Sequence, residues 1–259
     1  MTEDPAGCSV ESDTAMPKQA VTWQTQRILN ILDELGIDIP KSAKILDFGC
    51  GKGGIFKDLR SSGYVNAEGY DLAESSRLSE ERDHLTTGSI MNQCLPYADN
   101  TFDLIISDQV FEHVQDQATV FKELYRITRP GGHGLHCIPA RYMPIEGHIH
   151  VPLGGVLQHR WWYKTWALLG IRHEGQKGWS ADRTADWNAW FVTAATRYVT
   201  TSCYRAVWQD IGFRYQFAEQ QFFGGHVRSS MRLLAKGGRP IAWLYRTFRG
   251  RWAYLQKPS

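Results

Sequence analysis

Short apolar runs alternate with amphipathic stretches through the first half of the chain. The apolar runs at residues 44–48, 67–72, 84–88, 102–107 and 134–139 are predicted to be strands. Apolar residues at helical spacing predict helices over residues 18–35, which stop at Gly36, and over residues 118–128, which stop at Arg129–Gly132. This alternation predicts an α/β fold with a mostly parallel sheet that helices cover.

The pattern changes after Pro139. Seven of the ten tryptophans lie between residues 161 and 208, in a stretch that predicts helices and loops. Residues 213–217 and 252–255 are predicted to be the final strands. The expected organisation is a flexible acidic tail at 1–17 and one domain at 18–259, comprising an alternating α/β half at 18–140, an aromatic-rich insertion at 141–212, and the last strands with a basic helix at 213–259.

Bulk composition is that of an ordinary soluble protein. Apolar residues make up 42% of the chain and charged residues 22%, and the net charge of +2 gives no argument for DNA as a partner. The five cysteines are scattered and never form a CxxC pair, a pattern typical of a reducing compartment. No signal-peptide pattern or 18-residue apolar run is found. The sequence therefore predicts a cytoplasmic protein.

The segment KILDFGCGKGG, residues 44–54, is the strongest indication of a ligand site. A predicted strand ends at Asp47, and four glycines follow within six positions, from Gly49 to Gly54, where a helix is expected to begin. Glycines at this junction allow a ligand to lie against backbone N–H groups at the carboxyl edge of the sheet. The second strand ends at Asp71, about 20 residues further on, where an acid can accept both hydroxyls of a ribose or cap the next helix.

Four segments resemble, in order and spacing, the motifs of class I S-adenosylmethionine-dependent methyltransferases of the small-molecule type. They are LDFGCGKGG, YDL, LPYADNTFDLIIS and ELYRITRPGGHGLHCIP, which together span about residues 40–140. The resemblance implies a doubly wound, Rossmann-like, seven-stranded sheet whose last strand is antiparallel. It also implies S-adenosylmethionine as cofactor and S-adenosylhomocysteine as product, with residues 18–140 as the cofactor-binding half and residues 141–212 as the acceptor-pocket insertion. A nicotinamide oxidoreductase, which usually has GxGxxG where this chain has GxGxGG, is one alternative, and a non-catalytic cofactor-binding module is another.

The resemblance also assigns residues to the cofactor. Asp71 would hold the ribose, and Leu72 would pack on the adenine. Ser89 and Ile90 stand where many members carry an acid that contacts the adenine amine. The methionine end would be bordered by Asp47, Gly49, Cys50, Gly51, Asp108 and Gln109.

Methyl transfer requires an oriented acceptor and sometimes a base that removes its proton. His113, just beyond the fourth strand, is one candidate base, and a structural role in the loop is the alternative. His148 and His150 are the others, because alternation in an extended segment places them on one face. Glu112 is expected either to face solvent or to be a charge at a helix start. No metal is predicted, although His148 and His150 with Glu146 or His159 offer an alternative metal set.

The acceptor pocket is expected after the fifth strand. Arg141, Tyr142, Arg160 and Trp161 are predicted to bind a small-molecule acceptor, at an oxygen of a sugar, a secondary metabolite or a lipid-linked glycan. The chain after Glu219 has no acid and eight basic residues. That basic region favours packing on the sheet with its charges outward, and it leaves peripheral contact with an anionic membrane, or RNA binding, as alternatives. Oligomeric state is not predicted.

Overall fold

The computed structural model describes residues 21–72, 85–87 and 94–259. The predicted tail at 1–17 and the predicted adenine contacts Ser89 and Ile90 lie outside the described residues. The described strands are β1 Ile45–Phe48, β2 Ala67–Asp71, β3 Leu85–Thr87, β4 Phe102–Asp108, β5 Thr128–Pro139, β6 Arg214–Phe217 and β7 Gly250–Gln256. They form one sheet in the order β3-β2-β1-β4-β5-β7-β6.

Strand directions agree with the predicted class. The neighbouring pairs among β1 to β5 are all parallel. The last strand, β7, lies antiparallel between β5 and β6. The prediction of an α/β fold with a mostly parallel sheet and an antiparallel last strand is confirmed.

The helices lie between and after these strands. The described α-helices are α1 Trp23–Glu34, α2 Gly54–Ser61, α3 Gln117–Ile127, α4 Arg160–Leu168, α5 Ala181–Trp190, α6 Thr201–Ile211, α7 Glu219–Gly224, α8 Ser229–Ala235 and α9 Gly238–Phe248. A 3₁₀ turn at Phe111–His113 follows β4, and a π-helical turn at Phe191–Ala195 follows α5. Within the described residues, none of the helices combines the length and the apolar character that crossing a bilayer requires.

Two apolar clusters cover the two faces of the sheet. Ile45 of β1 belongs to the cluster that contains the buried face of α1, whereas its neighbour Leu46 belongs to the cluster that contains α3 and α6. Successive side chains of a strand point to opposite faces, so β1 is buried on both sides. This is why the strand is apolar throughout until Asp47.

The fifth strand begins earlier than predicted. β5 starts at Thr128, directly after α3, and includes the Arg129–Gly132 segment that was expected to separate helix from strand. The pairing with β4 shifts register between Phe102 and Leu104, whose partners are Thr128 and His133. The tetrapeptide is therefore accommodated as an irregularity within the sheet, where Gly131 has a φ of 75°.

Residues between β5 and α6 form a separate apolar cluster. Helices α4 and α5 pack together around Ile149, Val151 and Tyr163, with Trp162, Trp166 and Trp187 against them. Trp161 and Trp190 are 61% and 58% exposed. Most aromatic side chains of this region thus pack in or against the apolar core that α4 and α5 share.

Candidate active site

The glycine loop between β1 and α2 packs against Val110 at Gly49 and borders open space at Gly51. Gly49, Gly51 and Gly53 have φ angles of 76°, 52° and 78°, a region that favours glycine. A Cβ on Gly49 would collide with the side chain of Val110, and its distance to Val110 Cγ1 would be 2.6 Å. A Cβ on Gly51 would meet no atom within 4 Å. The loop therefore leaves exposed backbone beside open space.

That open space is a cavity of about 260 Å³ at the carboxyl ends of β1 and β4. Five residues predicted to bind the cofactor line it, and the start of α1 adds two that the sequence did not indicate. The predicted residues are Asp47, Gly49, Cys50, Gly51 and Asp108, and the added ones are Thr22 and Gln24. Its position is where parallel α/β sheets bind ligands.

The cavity is electrostatically suited to a cation. Asp47 is 1% exposed, and its Oδ2 accepts a hydrogen bond from the Phe56 N–H at 3.3 Å. Burial raises the pKa of Asp47 to about 7 against the effect of that hydrogen bond, and the carboxylates of Asp108 and Asp71 add to the rise. A positively charged ligand would favour the ionised form of Asp47. The sulfonium and ammonium of S-adenosylmethionine fit this requirement.

Asp71 connects the end of β2 to the glycine loop. Its Oδ2 accepts the Gly51 N–H at 2.6 Å, and its Oδ1 accepts the Leu72 N–H at 2.6 Å. The side chain of Leu72 is 47% exposed. Asp71 as the ribose acceptor and Leu72 as the adenine contact stay predictions.

Asp108 forms an ion pair that the sequence did not indicate. Its partner is Arg27 of α1, whose guanidinium lies 4.2 Å from the ring of Trp23 and 4.9 Å from that of Trp252. The position of Arg27, a basic residue on the apolar face of α1, was the feature of the sequence that could have indicated this ion pair.

Gln109, predicted beside the cofactor, has a φ of 57° and donates through Nε2 to Cys137 Sγ at 3.2 Å. The left-handed backbone thus directs Gln109 towards β5, and it is not among the residues lining the cavity.

A second polar group, which we call the His113–His148 cluster, comprises Glu112, His113, Glu146, His148 and Tyr198. The rings of His113 and His148 are nearly perpendicular, with centroids 5.0 Å apart. Nδ1 of His148 lies 2.9 Å from Oε1 of Glu146, and the hydroxyl of Tyr198 donates to the same oxygen. The structure therefore brings together two of the three predicted bases. It adds Glu146, which the sequence suggested only as an alternative metal ligand, and Tyr198, which the sequence did not indicate.

Hydrogen bonding and burial shift the pKa values of His113 and His148 in opposite directions. Burial opposes ionisation of Glu146, but hydrogen bonds from His148, Tyr198 and the Ile149 N–H outweigh it and lower the pKa of Glu146. The hydrogen bond to Glu146 raises the pKa of His148 in spite of burial. Burial lowers the pKa of His113, against the effect of its hydrogen bond to the Ala195 carbonyl. Separated pKa values of this kind are typical of acid–base sites.

Glu112 is buried, and the expectation that it faces solvent is wrong. Its side chain is 2% exposed because the turn Phe111–His113 packs inward, and the Glu112 carbonyl accepts the Arg197 N–H at 2.6 Å. Burial raises its pKa to about 7, and its Oε2 has no hydrogen-bond partner among the described residues. Glu112, His113 and His148 each place one ligand atom within 4.8 Å of the others, so this set could hold a metal ion or exchange protons.

His150 does not share a face with His148, which corrects the prediction. The segment turns instead of extending, since the His150 N–H donates to the Glu146 carbonyl at 3.0 Å and His150 has a φ of 61°. Its exposed ring lies 5.4 Å from the ring of His173. Alternation between strand faces therefore does not apply here.

The four residues predicted to bind acceptor divide into two places. Arg141 and Tyr142 line a second cavity of about 290 Å³, whereas Arg160 and Trp161 do not. The packing of α4 on α5 pairs Arg160 with Asp182 at 2.8 Å and Asp186 at 2.5 Å. These carboxylates pair with the Arg160 guanidinium, and the acceptor-binding roles of all four residues stay predictions.

A glycine loop beside an acid-lined cavity at the carboxyl edge of a Rossmann-like sheet fits a methyltransferase. Residues 21–215 match the family model described as a methyltransferase domain, and the chain belongs to this family. The match confirms the predicted family and enzyme class, with S-adenosylmethionine as the cofactor. It favours this class over the nicotinamide alternative.

Comparison with known proteins gives the range of relatives. Norajmaline N-methyltransferase of Rauvolfia serpentina is 28% identical over 138 residues, which cover 49% of this chain and 46% of that protein. An S-adenosylmethionine-dependent methyltransferase of Mesorhizobium loti has a TM-score of 0.54 at 16% identity, covering 89% of this chain and 97% of that one. Phosphoethanolamine N-methyltransferase 2 of Haemonchus contortus, solved with phosphomonomethylethanolamine and S-adenosylhomocysteine, has a TM-score of 0.51 at 16% identity, covering 92% of this chain and 53% of that one. The chain spans less than half the length of the first curated relatives it matches.

Proposed function

We propose that this protein transfers the methyl group of S-adenosylmethionine to an oxygen of a small-molecule acceptor, such as a sugar, a secondary metabolite or a lipid-linked glycan. The cofactor supplies an electrophilic methyl group on a sulfonium. The residues of the chain bind it, orient the acceptor and remove a proton. Asp47, Gly49, Gly51 and Asp71 would hold the cofactor.

The pairing of His148 with Glu146 is the observation that carries the proposal. An ionised Glu146 only accepts hydrogen bonds, so Nδ1 of His148 is the donor and Nε2 is left to take a proton from an acceptor hydroxyl. Asp108, which lines the cofactor cavity, also contributes to the raised pKa of Glu112. The His113–His148 cluster is therefore within electrostatic reach of the methyl donor's cavity.

The test separates cofactor binding from proton removal. Calorimetry with S-adenosylhomocysteine measures binding, and mass spectrometry measures methylation of a panel of hydroxyl and amine acceptors. We expect His148→Asn to lower turnover about 10²–10⁴-fold with cofactor affinity unchanged. His159→Asn, an exposed histidine outside the cluster, is the control and should keep turnover.

Two results would count against the proposal at different levels. If neither S-adenosylmethionine nor S-adenosylhomocysteine produces heat or a thermal shift, the enzymatic function itself is refuted. If the cofactor binds and His148→Asn turns over like the wild type, only the role of His148 as base is refuted.

An amine acceptor is the second candidate. It is favoured by Glu112, a buried carboxylate whose Oε2 has no partner among the described residues. Ionised Glu112 could take the proton of a substrate ammonium and so free the nitrogen lone pair that attacks the methyl group. The similarity to norajmaline N-methyltransferase points the same way. On this reading Glu112→Gln would abolish methylation of amines in the panel and spare hydroxyl acceptors.

The proposed location is the cytoplasm, because the described cysteines, Cys50, Cys94, Cys137 and Cys203, are free thiols.

Peripheral membrane contact is proposed through α9, which exposes Trp243, Leu244 and Phe248. Co-sedimentation with anionic vesicles tests that contact, and unchanged binding of a Trp243→Ala, Phe248→Ala double variant would argue against it.

A further inference from the structure

The second cavity, of about 290 Å³, is lined by an unusual number of arginines. It lies between the end of β5, the start of α6, α9 and β7. Its arginines are Arg141, Arg205, Arg246 and Arg251, and the hydroxyl groups at the start of α6 face the same space. The chemistry of this lining is that of an anion site.

Arg251 is the most telling of these residues because its charge is buried. Its side chain is 1% exposed. One terminal nitrogen donates to the Val199 carbonyl at 3.0 Å and the other to the Pro139 carbonyl at 3.4 Å. Its Nε has no hydrogen-bond partner among the described residues. A buried charge without a counter-ion is costly, so an anion in the cavity would stabilise it.

The charges around Arg251 are also largely uncompensated. In the described part of the chain, Glu219 is the carboxylate that pairs with these arginines, and it binds Arg246 through both oxygens, at 3.1 and 2.7 Å. The hydrogen bond recorded for Arg141 goes to the Tyr198 carbonyl, at 2.8 Å. Arg205 lies 5.2 Å from the ring of Phe217. One carboxylate therefore faces four guanidinium groups.

The start of α6 adds to the positive potential. Thr200 is the N-cap of this 11-residue helix, and its hydroxyl accepts the Cys203 N–H at 3.4 Å. Thr200, Thr201 and Ser202 all line the cavity. The first N–H groups of a helix have no partner within it, and its dipole favours an anion there.

We propose that this cavity binds the phosphate group of a phosphate ester. Arginine forks and a helix N-terminus together match the several oxygens of a phosphate. Tyr142 and Trp243, which are 44% and 57% exposed, lie at the rim and are suited to contact the organic part of the ester. Tyr198 joins Arg141 to Glu146 through its carbonyl and its hydroxyl, so a bound ester would lie beside the His113–His148 cluster.

Binding is tested on the full chain without cofactor or acceptor, so the result is independent of the proposed methyl transfer. Calorimetry and thermal shift with inorganic phosphate, pyrophosphate and glycerol 3-phosphate form one arm, against chloride at equal ionic strength. Vesicles of phosphatidylcholine with and without phosphatidic acid form the other. We expect Arg205→Ala to weaken binding about tenfold, because charge-assisted hydrogen bonds of this kind are lost. Arg251→Lys, which keeps the charge and loses the fork, should weaken it as well.

Arg214→Ala is the matched control, since Arg214 is an exposed arginine outside the cavity, and it should bind like the wild type. Binding of soluble phosphates identifies a free ester as the source, and binding only to phosphatidic acid vesicles that is lost in Arg205→Ala identifies a lipid headgroup; either result supports phosphate recognition. Vesicle binding that Arg205→Ala leaves unchanged reflects membrane contact outside the cavity and counts against the proposal. The proposal is overturned if neither arm binds. It is also overturned if folded Arg205→Ala, verified by circular dichroism, binds as tightly as the wild type.

Discussion

Replacing Asp47 with Asn should stabilise the folded protein above pH 7 and weaken its binding of S-adenosylmethionine. Burial raises the pKa of Asp47 from its ordinary value of 3.8 to about 7. That difference corresponds to about 4 kcal/mol, because one pKa unit is worth about 1.4 kcal/mol. A neutral amide removes this penalty, and the full 4 kcal/mol is the most that the variant could gain.

The sign of the pH dependence follows from the direction of the shift. The unfolded chain loses the Asp47 proton near pH 4 and the folded chain near pH 7. Between these values the unfolded state binds fewer protons, so this group makes the wild type less stable as the pH rises, and its effect is level above pH 7. The affinity of the wild type for the cofactor should instead increase as the pH rises, since only ionised Asp47 attracts a cation.

Urea unfolding of the wild type and Asp47→Asn at about pH 4, 6 and 8 measures the difference. The gap between the two proteins should be near zero at the lowest pH and largest at the highest. Asp210→Asn, which changes an exposed acid, is the control and should follow the wild type throughout. Calorimetry with S-adenosylmethionine should show the loss of affinity in Asp47→Asn. A stability gap that is the same at all three pH values would refute the reasoning.

Two further experiments test the site. Gly49→Ala should lower both Tm and cofactor affinity, because the new Cβ would collide with Val110 and the φ of 76° disfavours alanine. Adding Val110→Ala should recover only part of the loss. A Gly49→Ala variant that matches the wild type in calorimetry and thermal melting would contradict this geometry. If Glu112, His113 and His148 work by proton exchange, prolonged dialysis against a chelator should leave turnover unchanged. A loss that zinc restores would instead assign a metal ion to these three residues.

Local spacing was sufficient to predict the strand, glycine loop and helix around Gly49. The apolar run that ends in Asp47 and the clustered glycines identify this junction, and the structure forms β1 and α2 there. Asp71 was placed at the end of the second strand by the same reasoning, and β2 ends at that residue. The predicted final strand at 252–255 became β7, Gly250–Gln256. Each of these features depends on residues that are close in sequence.

Contacts between distant segments were not predictable in this way. Arg27 meets Asp108 across 81 positions, and Tyr198 meets Glu146 across 52. The extended spacing assumed for His148 and His150 failed because the segment folds into a turn held by its own backbone.

The sequence alone determined the alternation of strands and helices up to Pro139 and the place of the glycine loop, because hydrophobic periodicity and turn chemistry act over a few residues. The tertiary structure alone decided that Glu112 is buried, that Glu146 orients His148, and that Arg251 has no carboxylate partner among the described residues. Desolvation and ion pairing depend on which elements pack together, and residue spacing along the chain carries no information about that packing.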